Sequence, residues 1–396
     1  MPVNSKDDSI SKSRKLIQKF IDDEKLSLLL VLGPGGTGKS ALIRELVADF
    51  NGKEVVLAPM GIAAEKVEGK TINSYCEVIE FTSETKFHAD EFKKKPDHED
   101  QVRLVLLDEI SMVSIRMFRY LDKVLRHLNG RPTLLFGGAK IIMFGDQYQL
   151  SPVKAKPAYS SKMFQKHPVR IMYLTKNYRQ SDKDTQGALR VIRKDKKCHR
   201  KRALKYFNDH CFDPTYSDDD SIIICSKKDR VAVLNKKKLK KLSKSGSMIY
   251  KWQGKNIELR IGARVIATIN NPTSGYYNGS LGIVTKCEKD GPTVKFDAKN
   301  RAVKVRSPRW FKNEGKMLAI PLELAFAITI HKAQGQTFEK VILDLTGELF
   351  AKGQLYVALS RVRNINGLKI SRLLTKADII PNDEHSNILR RFEKWT

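Results

Sequence analysis

The sequence predicts an α/β fold of two lobes built on mostly parallel sheets, with a small antiparallel β region inserted in the second. Three observations carry that expectation. Apolar runs of strand length recur with helical patterns between them, one such run feeds a glycine-rich turn, and residues 248–305 change to short β-prone runs broken by turn residues.

Residues 1–25 read as a basic N-terminal segment ahead of the first lobe, which spans 26–175. Residues 28–32 are continuously apolar and end at glycine, and from Ser40 to Phe50 the residues Leu42, Ile43, Leu46 and Val47 fall at helical spacing, giving strand, loop, helix. Further buried strands are expected at 55–57, 102–107, 140–144 and 171–174, with a helix over 114–128. The stretch TSETKFHADEFKKKPDHED is polar and reads as a surface insertion within 81–101. The second lobe is assigned to 176–247 and 319–396, with strands at 221–225 and 341–345 and helices at 227–242 and 354–360. It is interrupted by a small barrel over 248–318, where GARVIATI, LGIVTKC, TVKFD and RAVKVR alternate with NPTSGYYNGS, EKDG and DAKN.

Composition narrows the function. At roughly 100–200 residues per domain, 396 residues make two or three domains. With 41% apolar and 30% charged residues the chain is neither collagen-like nor largely disordered. Subtracting 44 acidic from 73 Lys and Arg residues leaves +29, a field suited to a polyanion such as nucleic acid. Five scattered cysteines fit no disulfide framework, the N-terminus lacks the apolar core of a signal peptide, and no apolar run approaches the roughly 20 residues of a membrane span. The expectation is a soluble intracellular protein of nucleus or cytoplasm, or associated with a virus, and not secreted.

Residues 33–40, GPGGTGKS, match G-x-x-x-x-G-K-[ST] between a strand and a helix. Gly33, Gly35, Gly36, Thr37 and Gly38 let backbone N–H groups turn around phosphate oxygens, Lys39 reaches the β- and γ-phosphates, and Ser40 ligates Mg²⁺. Asp108 and Glu109 end the run LVLL, at the carboxyl end of a buried strand, where α/β sheets bind ligands. Asp108 is expected to hold the metal and Glu109 to act as general base. Gln149, in GDQYQLSPV, offers a neutral amide to sense the γ-phosphate. Arg179 and Arg361, both expected in the second lobe, could meet charge developing on the transferred phosphoryl group.

The ordered blocks GPGGTGKS, APMGIAAEKVEGKTINSY, LLDEISM, GDQYQLSPV, LTKNYRQ, PLELAFAITIHKAQGQTFEKVILDL and GQLYVALSRV resemble superfamily 1 helicases of the RecD and Pif type over residues 28–370. The resemblance implies two RecA-like lobes with ATP and Mg²⁺ between them, an SH3-like barrel inserted in the second lobe, and a first-lobe insertion serving as a strand-separating wedge. It implies an ATP-hydrolysing motor, expected to be monomeric, moving 5′-to-3′ on single-stranded DNA and opening duplex junctions in replication, repair or recombination. Carried residue by residue, it adds Gly335 to the nucleotide site. It places Pro59, Met60, Gly61, Thr71, Asn73 and Tyr75 on the strand in the first lobe, and Thr329, His331 and Lys332, with Gln334, in the second. Met60 and Asn73 depart from the family's usual small hydroxyl residue and His. The family's adenine-reading Gln has no clear counterpart, Gln18 being the nearest. An RNA track, as in the superfamily 1 helicases of positive-strand RNA viruses, and a nucleotide-gated clamp that binds without unwinding are the alternatives.

Tyr75, Tyr148, Tyr276, Tyr277, Trp310 and Phe311 are candidate stacking platforms for bases. The basic runs 193–197 and 235–241 could be phosphate contacts, an address or a solvated face. Cys198-His199 and His210-Cys211 carry soft ligands at a spacing that fits no standard zinc site.

Overall fold

The computed structural model describes residues 8–49, 52–82, 84–90, 92, 101–180, 182–215, 220–299, 301–306, 319–380 and 389–395. Trp310 and Phe311 lie outside them. The chain forms two compact units, one of residues 1–200, 351–356 and 379–396, the other of 201–350 and 357–378. The expected lobe boundary at 175 is therefore displaced. Residues 176–200 belong to the first unit, and the C-terminal segment returns to it.

The first unit is a seven-stranded sheet with β1 (Leu28–Leu32), β2 (Glu54–Ala58), β3 (Lys70–Thr71), β4 (Leu104–Leu107), β5 (Lys140–Gly145) and β6 (Val169–Tyr173). The seventh strand is the C-terminal Glu393–Lys394, and the order is C-terminal strand, β6, β1, β5, β4, β2, β3, with every pairing parallel. Side chains alternate across a strand. In β1, Leu28, Leu30 and Leu32 join Val105, Leu107, Ile141 and Met143 in one core, while Leu29 and Val31 join Leu104, Leu106, Ile142 and Phe144 in another. Both faces are thus covered, which is why the strand reads as an unbroken apolar run.

The described part of the expected basic segment 1–25 is built into the first unit. Asp8–Asp22 is a helix whose Ile10, Ile17 and Phe20 are buried in the second of these cores. The Lys140 ammonium donates to the carbonyls of Asp23 and Leu26, at 2.6 and 2.8 Å, and the Trp395 indole N–H to that of Leu16, at 2.8 Å. The helix Ile115–Leu128 is capped by the Ser114 hydroxyl, which accepts from the Met117 N–H at 3.2 Å, and turns Phe118, Leu121, Val124 and Leu125 inward. The insertion is less polar in effect than in composition. Phe81 and Phe87 set their rings edge-on to Tyr120, and Phe92 sits against Phe87 and His127.

The second unit holds a four-stranded parallel sheet of β7 (Ile222–Cys225), β15 (Ala327–Thr329), β16 (Val341–Asp344) and β17 (Leu368–Ile370), ordered β15, β7, β16, β17. Within it run a hairpin, β8 (Met248–Trp252) with β9 (Lys255–Leu259), and an antiparallel sheet ordered β13, β12, β11, β10, β14. The strands of that sheet are β10 (Arg264–Ala267), β11 (Leu281–Lys286), β12 (Thr293–Phe296), β13 (Ala302–Lys304) and β14 (Leu322–Leu324).

Candidate functional site

The order β1, β5, β4 places the carboxyl ends of three strands side by side, delivering Gly33, Asp146 and Asp108 to one edge of the first unit. The loop after β1 is anchored by Gly33 N–H to Gly145 O at 3.0 Å and turns through Gly36 (φ +89°) and Gly38 (φ +83°). A Cβ on Gly36 would lie 2.5 Å from Arg179 Cβ, so both backbone angle and space demand glycine there. The Lys39 ammonium donates to the carbonyls of Gly33 (2.7 Å) and Pro34 (2.8 Å). Burial holds its pKa below the usual lysine value, against the pull of Asp146, Glu109 and Asp108.

Asp108 is buried, and its carboxyl is pushed up to about 7, chiefly by burial and next by the charge of Glu109. It accepts from the Glu109 N–H at 2.8 Å and faces the Ser40 hydroxyl at 3.4 Å. These two hard oxygen donors, one on a carboxylate whose charge is disfavoured where it stands, suit a divalent cation. Glu109 adopts φ +49°, and its Oε2 is buried without a hydrogen-bond partner. Gln149 is buried close by, its N–H donating to Asp146 O at 3.0 Å.

Four residues of this constellation escaped the sequence reading. Asn177 donates to Gly35 O at 3.0 Å and accepts from the N–H groups of Arg179 (2.9 Å) and Gln180 (3.1 Å). Asp146 is fully buried and is gripped by Arg193 through Nε (3.0 Å) and Nη2 (2.7 Å). Burial would raise the Asp146 carboxyl, and the guanidinium overrides that to hold it low. Tyr356 donates to Asp146 at 2.9 Å and accepts from the Gly35 N–H at 3.2 Å. Arg193 therefore leaves the expected basic run and becomes an interior partner, with the Tyr148 ring 4.3 Å from its guanidinium carbon. Arg179, expected in the second lobe, stands in the first unit beside Gly36.

Of the other first-unit candidates, Met60, following Pro59, sits in extended conformation just before the helix Gly61–Lys66 and makes no side-chain cap. Thr71 caps Ile72–Tyr75 by accepting from Ser74, and Asn73 donates to Ile79 O at 3.0 Å. Tyr75 is a core residue rather than an exposed platform, and so is Tyr276 in the second unit, stacked on Phe296 at 5.1 Å. Tyr148 and Tyr277 are half-buried.

The second unit gathers its own set. Thr329 accepts from the Lys332 N–H at 3.3 Å, His331 stacks on Phe350, and burial together with Lys228 lowers the His331 pKa. Gln334 is buried, and Gly335 turns with φ +76°. Arg361 is 2% exposed and donates to the carbonyls of Val357 (2.7 Å), Gln336 (3.0 Å) and Ala333 (3.4 Å) and to the Ser360 hydroxyl (2.8 Å). Cys198 is exposed, in the turn Lys197–His199, and Cys211 is buried at the end of the helix Arg200–Cys211. No group of three or more His, Cys, Asp or Glu side chains placed to hold a metal occurs among the described residues. None of the described helices is long and apolar enough to cross a membrane.

Residues 9–195 match the family described as PIF1-like helicase. The ATP-dependent DNA helicase PIF1 of Xenopus laevis is 32% identical over 376 residues, covering 85% of this chain and 58% of that protein, so the chain spans under two thirds of this relative. Among solved structures, that of two coordinating Pif1 helicases unwinding forked dsDNA superposes with a TM-score of 0.81 at 30% identity, over 97% of this chain and 96% of the other. The Bacteroides Pif1 helicase in complex with ADP-AlF3 and ssDNA gives 0.79 at 30% identity, over 96% of each chain.

Proposed function

The chain belongs to the PIF1-like helicase family, and from that premise we propose that it is an ATP-hydrolysing motor. It binds single-stranded DNA and couples hydrolysis to 5′-to-3′ movement and duplex unwinding. The observation that carries this reading is the convergence of Lys39, Ser40, Asp108 and Glu109 on one glycine-rich loop, with a Glu109 oxygen buried and unpartnered. A pure binding module has no need of a basic carboxylate at that point.

The amides of Gly36, Thr37 and Gly38 cradle the triphosphate, while those of Gly33 and Gly35 are held by the Gly145 carbonyl and the Tyr356 hydroxyl and shape the loop, and Lys39 exchanges the carbonyls of Gly33 and Pro34 for phosphate oxygens. Ser40 and Asp108 hold Mg²⁺, which when bound neutralises charge on the β- and γ-phosphates. Glu109 takes the proton of the attacking water. Gln149 reads the γ-phosphate and Arg179 stabilises the transferred group; the family likeness assigns Arg361 to the same task, and in its own unit Arg361 is bonded to Val357, Gln336, Ala333 and Ser360. Gly335, in the second unit, is assigned to the nucleotide by the same family likeness. Pro59, Met60, Gly61, Thr71 and Asn73 in the first unit, and Thr329, His331 and Lys332 in the second, follow the strand. The two parallel sheets are read as RecA-like lobes and the antiparallel sheet with its hairpin as an SH3-like barrel. Opening a duplex costs about 1.4 kcal/mol per step, so one hydrolysis event suffices for one base.

The test is steady-state hydrolysis with and without matched DNA and RNA strands, followed by strand separation on tailed duplexes of each polarity. Stimulation by single-stranded DNA and opening of 5′-tailed duplexes are expected. Stimulation by RNA alone transfers the motor to an RNA track, and strand-coupled ATP binding without phosphate release makes it a clamp.

A further inference from the structure

The helix Ile115–Leu128 has a second face that hydrolysis does not use. Arg116, Arg119, Tyr120 and Lys123 stand at i, i+3, i+4 and i+7, opposite the buried Phe118, Leu121, Val124 and Leu125. That face is one wall of a groove of about 580 Å³ whose other walls are Phe81, Thr85 and Phe87 of the insertion and Lys154, Ala155 and Lys156 of the loop after β5. The floor is aromatic. Tyr120 meets Phe81 at 5.4 Å and Phe87 at 5.6 Å between ring centres, and all three rings are half-buried, leaving part of each open to the groove. The rim carries five exposed cations, Arg116, Arg119, Lys123, Lys154 and Lys156, and among the described residues no lining side chain is acidic. Among the described residues Arg119, Lys123, Lys154 and Lys156 form no ion pair. Lys154 is held on the rim by a left-handed backbone, φ +52°, an unusual conformation for a lysine.

We propose that this groove is a binding site for single-stranded nucleic acid, separate from the strand-contacting positions assigned above, in which a base lies against Phe81, Phe87 and Tyr120 and the flanking phosphates meet the five cations. Charge selects a polyanion. The rings select an unpaired strand, because a duplex keeps its bases stacked inside and offers only phosphates to the rim, whereas every unpaired base has a face to lay on an aromatic side chain. The site takes the strand by backbone charge and stacking, so it reads no particular sequence.

The test needs no ATP, so its failure is distinguishable from failure of the motor reading. The full chain is irradiated with a single strand carrying 5-iodouracil, and the adducts are mapped by mass spectrometry. Attachment to Phe81, Phe87 or Tyr120 is expected. Adducts confined to residues 59–61, 71–75 or the second unit overturn the proposal. In parallel, Arg119→Ala with Lys154→Ala is titrated with a fluorescent single strand over a range of salt. Loss of two phosphate contacts lowers the slope of log affinity against log salt by about 1.4, while Lys255→Ala with Lys289→Ala, which removes two exposed charges elsewhere, leaves it unchanged. Equal slopes in the two double variants, or no change in either, overturn the groove.

Discussion

Asp108 and Asp344 occupy equivalent places. Each lies at the carboxyl end of an interior strand of a parallel sheet, Asp108 just after β4 in the first unit and Asp344 closing β16 in the second, and each is almost wholly buried. Asp344 is satisfied: Arg230 donates to one oxygen through Nε (3.0 Å) and Nη2 (2.7 Å), and the Thr346 N–H donates to the other at 3.0 Å. Asp108 has no guanidinium, a second carboxylate beside it and a pKa near 7. Position on the fold is therefore not what makes an aspartate functional. A buried carboxylate whose countercharge is built in is architecture, and one left short of countercharge is poised to take it from a ligand. Asp146, one strand over from Asp108, falls with Asp344, because Arg193 closes on it.

The contrast can be broken most severely at the groups proposed to react. Glu109→Gln or Lys39→Ala should lower DNA-stimulated phosphate release by about 10²–10⁴-fold with the melting temperature retained. Near-normal turnover in Glu109→Gln would remove that residue from the base role. Next comes stability. Asp146→Asn strands the Arg193 charge in the interior and should cost about 3–5 kcal/mol in denaturant unfolding. Asp344→Asn should cost less, since the Arg230 side chain keeps 33% of its exposure and can turn to water. Asp108→Asn should cost nothing or stabilise. An Asp108 variant as damaging as the Asp146 one would erase the distinction.

The pH response sharpens it further. Asp108 has a folded pKa above its unfolded value, so the stability it contributes is fully present below about 4 and is lost as pH rises through about 7. Asp146 has a depressed pKa, so its contribution is present above about 4 and disappears as pH falls through its lower folded value. In metal-free buffer, Asp108→Asn should flatten the decline of stability between pH 4 and 7, and Asp146→Asn should flatten the acid limb instead. The smallest effect is expected from Tyr356→Phe, which removes one donor from Asp146 and one acceptor from Gly35 while Arg193 stays in place. It should cost about 1 kcal/mol.

What the sequence disclosed, and what it withheld, follows the range of the interactions. The strands at 28–32 and 140–145, the helix over 115–128 and the loop of residues 33–40 declare themselves in contiguous residues, because period and turn chemistry are local. Asp108, Glu109 and Gln149 could be named because each directly follows such a strand or lies within a few residues of one. The partners that steady them could not. Asn177 meets Gly35 across 142 residues, Arg193 meets Asp146 across 47 and Tyr356 meets Asp146 across 210. No periodicity reports such pairs. Tyr75 and Tyr276 misled for the opposite reason: a polar neighbourhood in sequence suggested exposure, and tertiary packing placed both rings in cores. The insertion hid its three phenylalanines in a polar composition, and the N-terminal helix hid an apolar stripe among lysines.

Glu109 holds a left-handed backbone that side chains with a Cβ adopt only at a penalty of roughly 1–2 kcal/mol. Glycine is free of that penalty, so Glu109→Gly relaxes the turn while deleting the carboxylate, and should melt higher than Glu109→Gln, with both expected to lose turnover. If Glu109 is the base proposed above, selecting this molecule for heat resistance alone would drive it toward catalytic silence at residue 109, and any stabilised version has to be screened for turnover at every round.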